Sequence, residues 1–169
     1  MTHEFVVVGV GGTFDRLHAG HRKLLETAFE VGEQVLIGLA SDELVQSSKK
    51  PHGVGSYADR ERELAGFLRE RGLLARAEVV PLYDSYGLAT TDPSIEALVV
   101  TAETAPGVAE INSIRASRGL RSIRPVMVAD VLAEDLKPIS STRIRAGEID
   151  TEGRTLLARS ARRPRRKEG

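Results

Sequence analysis

Gly12, Thr13 and Phe14 precede an aspartate, and two residues further on His18 and His21 flank Gly20 three positions apart. Imidazoles donate hydrogen bonds to phosphate oxygens and can charge near neutral pH. On the first turn of a helix, positions i and i+3 share a face. Glycines let a backbone approach an anion closely, and a helix start offers free N–H groups and the positive end of a dipole. Residues 11–25 therefore read as an anion site at a strand-to-helix turn. A second set lies at 137–145, KPISSTRIR. There Pro138 stops any preceding helix and Ser140 can cap a new one. Ser141 and Thr142 add hydroxyls, and Arg143 and Arg145 add positive charge. A third set is Lys49 and Lys50 before Pro51, in a polar loop followed by a helix that opens with Tyr57, Arg60 and Arg62.

Several other chemistries are disfavoured. The two histidines lack a nearby third ligand and are not at the i, i+4 spacing of helical zinc sites, so no metal ligand is assigned. No Gly-Lys-Ser/Thr follows the glycines, and the pattern is not G-x-G-x-x-G. The chain has no cysteine, which removes disulfides, thiolate metal sites and thiol nucleophiles. Asp15 reads as a structural partner for the turn's backbone or for a nearby arginine rather than as a catalytic acid.

These residues need a scaffold. Apolar, β-branched runs at 5–10, 35–40, 77–82, 97–101 and 124–129 read as buried strands. Helical spacing covers 18–31, closed by Gly32, then 56–71, capped by Ser56, and 107–118. Alternating strands and helices imply a mostly parallel sheet with right-handed crossovers. Ligands of such sheets bind beyond the carboxyl ends of the strands, where 11–21 falls.

The 169 residues suit one domain, 1–157, followed by a basic, proline-broken tail, 158–169. A formal net charge of +0 points to neither nucleic acid nor an acidic membrane, and the absence of tryptophan argues against base stacking. The N-terminal apolar run is too short to cross a bilayer and has no basic segment before it, so a cytoplasmic protein is expected.

The stretch GTFDRLHAGH, 12–21, resembles the G-T-F-D-x-x-H-x-G-H signature of the HxGH nucleotidyltransferase superfamily. The resemblance implies a Rossmann-like, doubly wound, parallel five-stranded sheet. It also implies transfer of a nucleotidyl group to a phosphate, with release of pyrophosphate. ISSTRIR resembles the superfamily element that holds the β- and γ-phosphates. The K-K-P stretch is similar to one in the pantetheine-phosphate adenylyltransferases, whose first lysine, here Lys49, contacts the phosphates of both substrates. Segment 83–120 resembles the archaeal and eukaryotic type of that enzyme in its D-x-Y-G, E-T-x-x-G and I-N-x-I-R elements, and the likeness spans 4–155.

The resemblance implies adenylyl transfer from ATP to 4′-phosphopantetheine, giving dephospho-coenzyme A, with Mg²⁺ accompanying the nucleotide. Thr13 would orient the acceptor phosphate, His21 would stabilise charge at the α-phosphate, and His18 would support nucleotide binding. Ser140, Ser141 and Thr142 would hold pyrophosphate. Gly12, Phe14 and Arg145 complete the nucleotide- and phosphate-binding set. Where bacterial enzymes carry R-G-L-R, this chain has TAET, 101–104, so those arginine roles do not transfer. Arg115 or Arg118 on the next helix is the candidate substitute. The alternatives are another member of the superfamily (a flavin or nicotinamide mononucleotide adenylyltransferase, or a glycerol-phosphate-type cytidylyltransferase), a non-catalytic nucleotide sensor, or a nucleic-acid binder using the tail. Nothing in the sequence decides between a monomer and a small homo-oligomer.

Overall fold

The computed structural model describes residues 2–48 and 53–156. Lys49, Lys50 and the tail from 158 lie outside the described residues. Five strands form one parallel sheet: β1 (Phe5–Gly12), β2 (Gly32–Ala40), β3 (Ala77–Leu82), β4 (Ala97–Val100) and β5 (Arg124–Met127). Their order is β3-β2-β1-β4-β5. The helices are α1 (Ala19–Val31), α2 (Asp42–Gln46), α3 (Tyr57–Glu70), α4 (Pro106–Ser117) and α5 (Ser141–Arg145), with short 3₁₀ turns at Leu74–Arg76 and Gly87–Thr90. This is the expected doubly wound, Rossmann-like architecture.

The strand pattern divides the core in two. On β1 and β2, Val8, Val10, Val35, Ile37 and Leu39 face one side and pack with Leu25 and Phe29 of α1 and Leu64 and Leu68 of α3. Alternate positions face the other side, where Leu36 packs with Ile95, Ile123 and Ile111 of α4. Both faces are covered, which is why these strands read as unbroken apolar runs. The chain winds outward from β1 to β3, then returns to β1's other edge as β4. That reversal opens a crevice beyond the carboxyl ends of β1 and β4.

Three local differences from the sequence reading have physical causes. β1 runs on through Gly11 and Gly12, which pair with Gly38 and Leu39 of β2 instead of forming an open turn. Gly32 caps α1 and is already the first residue of β2, and it must be glycine because a Cβ there would lie 2.6 Å from Val8 Cγ2. α2 arises because the Ser41 hydroxyl accepts the Leu44 N–H at 3.1 Å. Among the described residues, no helix is long and apolar enough to cross a membrane.

Candidate active site

α1 begins at the crevice, and its first turn is built around His18. The His18 ring Nδ1 accepts from the Gly20 and His21 N–H groups at 3.1 and 3.3 Å. Its own N–H donates to His21 Nδ1 at 3.3 Å, completing a reciprocal cap. Ala19 N–H donates to Thr151 and Arg22 N–H to the His18 carbonyl, both at 3.0 Å. All of the first four N–H groups of α1 are thus partnered. The expected free backbone donors are absent from this helix start, and what it presents instead is the pair of imidazoles.

Those rings stack, with centroids 3.6 Å apart and planes 19° from parallel. Each Nδ1 accepts a backbone N–H, so in each neutral ring the proton belongs on Nε2. Each ring then has one donor left to offer, Nε2–H. Burial, helped by the Arg22 charge, lowers the His18 pKa to about 4. Burial, then His18 and Arg22, lowers that of His21 to about 3. The sequence reading allowed charging near neutral pH; the folded site holds both rings neutral there. Gly20 is required because a Cβ would sit 2.9 Å from His18 Cε1 and displace the ring.

Asp15, with 5% of its side chain exposed, ties the site's segments together. Its Oδ1 accepts the Gly55 N–H at 3.0 Å and its Oδ2 pairs with Arg145 Nη1 at 2.6 Å. Its carbonyl accepts the Ser141 hydroxyl at 2.5 Å. Of the partners anticipated from sequence, the arginine is present, while the backbone N–H comes from Gly55 of a distant loop and not from the turn itself. Beneath it, Arg60 is 1% exposed and donates to the Thr13 and Gly55 carbonyls, each at 2.9 Å. Sequence reading placed Arg60 at a helix start but missed this role; burial of a cation leaves no periodic signal. The loop pays in strain, with φ of 50° at Phe14 and 52° at Arg16, a region costly for residues with a side chain.

A cavity of about 700 Å³ opens here, the more polar of two at this edge of the sheet, lined by Thr13, His18, His21, Ser140, Ser141 and Arg145, among others. Ser140 caps α5 through the Arg143 N–H at 3.2 Å. The first two motifs, far apart in sequence, thus meet at one cavity. Thr142 and Phe14 are not among the lining residues. Thr142 Oγ1 lies 3.5 Å from Arg145 Nη2, and Phe14 is a core residue whose ring tilts against His21 at 5.3 Å. A Cβ on Gly12 would lie 3.3 Å from the Phe14 ring, so this glycine makes room for the aromatic.

A second cavity, about 420 Å³, lies on the α4 side of the sheet and is mainly apolar. Its floor consists of Leu82 and Leu98 lying over glycines: a Cβ on Gly38 would come within 2.7 Å of Leu82, and one on Gly9 within 2.6 Å of Leu98. Thr13, Ala40, Leu44, Ser85 and Glu103 line both cavities, so they adjoin. The sequence reading gave no hint of this space.

The two arginine candidates are corrected. Arg115 is 0% exposed and donates to the carbonyls of Arg121, Ala89 and Asp92 at 2.6, 2.9 and 2.8 Å. Arg118 donates to the Thr90 carbonyl at 3.0 Å. Both bind the chain's own backbone and line neither cavity.

The cytidylyltransferase-like family model matches residues 10–147. A phosphopantetheine adenylyltransferase of Methanothermobacter thermautotrophicus is 46% identical over 98% of this chain and 99% of its own length. One from Methanopyrus kandleri is 44% identical over 86% of this chain and 92% of its own. A crystal structure of a protein of unknown function from Archaeoglobus fulgidus superposes with TM-score 0.64 at 31% identity, covering 73% of this chain and 89% of that one. Fold, family model and relatives agree: the chain belongs to the cytidylyltransferase-like nucleotidyltransferases and, among them, to the phosphopantetheine adenylyltransferases.

Proposed function

We propose that this protein transfers the adenylyl group of ATP to 4′-phosphopantetheine, forming dephospho-coenzyme A and pyrophosphate in the cytoplasm. The observation that carries the reading is the junction of a polar, donor-lined cavity with an apolar one at Thr13. One reactant brings a triphosphate. The other brings a phosphate on an uncharged arm. In-line reaction requires the two phosphates to meet where the cavities do.

An acceptor phosphate oxygen attacks the α-phosphorus, and the bond to the bridging oxygen of the β-phosphate breaks. The nucleophile is already anionic at neutral pH, so no side chain must remove a proton. The residues position groups and stabilise charge. Thr13 Oγ1, without a hydrogen-bond partner among the described residues, orients the acceptor phosphate. His21 donates Nε2–H to the α-phosphate as charge builds, and His18 holds it in place and supports the nucleotide. Ser140, Ser141 and Arg145 receive the leaving pyrophosphate, Thr142 contributes through its place beside Arg145, and Lys49 bridges both substrates' phosphates. Gly12 and Phe14 contribute by shaping the loop. Mg²⁺ would accompany the nucleotide and supply positive charge to offset that of its phosphates.

The test is product analysis of purified protein with Mg²⁺, ATP and 4′-phosphopantetheine. Equal amounts of dephospho-coenzyme A and pyrophosphate are expected. Pyrophosphate without dephospho-coenzyme A, or neither product, contradicts the reading.

A further inference from the structure

The segment 83–92, between β3 and β4, walls the apolar cavity and is tied to α4 at three points. The buried Arg115 holds the Ala89 and Asp92 carbonyls. Arg118 holds the Thr90 carbonyl. The third tie is of a different kind: the Tyr86 hydroxyl donates to the Glu110 carboxylate. Tyr86 lines the apolar cavity, whereas Glu110 is exposed on α4. The tyrosine is aimed by its own backbone, since Asp84 Oδ1 accepts the N–H groups of Tyr86 and Gly87 at 2.9 and 2.7 Å. Its ring faces Gly107 across the gap, and a Cβ there would lie 3.7 Å from Tyr86 Cε1.

We propose that Tyr86 is a specificity-determining residue for the acceptor: its ring is the wall against which the acceptor's arm packs, and its bond to Glu110 sets that wall's distance from α4. The inference rests on the adenylyltransferase reading above. An aromatic wall excludes water, so an acceptor whose arm ends in a charge loses hydration without gaining a partner. An uncharged arm gains apolar contact.

The test compares 4′-phosphopantetheine with 4′-phosphopantothenate, which ends in a carboxylate where the former continues through an amide. kcat/KM for each is measured with wild type, Tyr86→Phe, Tyr86→Ala and Glu110→Gln, and KM for ATP alongside. In Tyr86→Ala the preference for 4′-phosphopantetheine should fall about tenfold or more while KM for ATP stays within about twofold. Tyr86→Phe keeps the ring and loses only the tie, so its preference should fall about threefold. Glu110→Gln, which keeps an acceptor, should stay closer to wild type. Should Tyr86→Ala fail to fold, Tyr86→Phe carries the test. An unchanged preference in folded variants of an active enzyme, or an equal loss for both acceptors, overturns this inference alone. A wild type that forms no dephospho-coenzyme A overturns the functional reading and this inference with it.

Discussion

The two cavities at the carboxyl edge of the sheet are built on opposite principles. The polar one draws its chemistry from two short motifs whose groups are held by directional bonds: His18 by the α1 backbone, Arg145 by Asp15, Ser141 by the Asp15 carbonyl. The apolar one is assembled from scattered residues on β1 to β4, the segment 83–92 and α4, and needs only the right volume. Directional bonds demand particular residue types at particular spacings. Apolar contact demands little beyond size and shape. The first kind of site therefore leaves a strong trace in a sequence, and the second leaves almost none.

Substitutions should divide along the same line. The largest effect falls on the polar side: His21→Ala should lower kcat on the order of 10²-fold or more, with KM for 4′-phosphopantetheine little changed, in steady-state pyrophosphate release. On the apolar side, Leu82→Ala should raise KM for 4′-phosphopantetheine about tenfold and leave KM for ATP within about twofold. A Leu82 variant that weakens both substrates equally would erase the division. Arg115→Ala should lower thermal stability by about 3 kcal/mol, because three carbonyls lose their donor, yet leave KM for ATP unchanged in the folded fraction. A selective loss of ATP affinity would instead return Arg115 to the phosphate site.

The last effect concerns protons and bears on stability more than on turnover. The ordinary histidine value is 6.5, and the fold lowers His18 to about 4 and His21 to about 3. Below about pH 6.5 the unfolded chain binds more protons than the folded one, so stability should decline as pH falls from there toward 4. Imidazole resonances of the free protein should show no titration of either ring between pH 6 and 8. A midpoint near 6.5 would contradict the neutral, Nε2–H donor pair.

Much of the fold was legible because its strands are buried on both faces, as at 35–40, and so stand out as apolar runs. The start of α1, the caps of α3 and α5, and the role of Asp15 were legible because capping and charge pairing are local or type-specific. Three things were not. The closed N-terminus of α1 depends on an imidazole acting as the cap and, for the Ala19 N–H, on Thr151 far along the chain. Arg60 and Arg115 look like surface residues of amphipathic helices, and their burial is set by carbonyls of distant segments. The apolar cavity arises from glycines on β1 and β2 over which two leucines fold, a tertiary event without local pattern.

The most direct measurement is pyrophosphate release by the purified protein with Mg²⁺, using ATP or CTP against 4′-phosphopantetheine, nicotinamide mononucleotide, flavin mononucleotide and glycerol 3-phosphate. Turnover confined to ATP with 4′-phosphopantetheine is the predicted result: the polar cavity takes the triphosphate and the apolar one takes the uncharged arm. Equal or faster turnover with any other pair would contradict that assignment of the apolar cavity, and ATP binding without turnover on any acceptor would contradict catalysis itself.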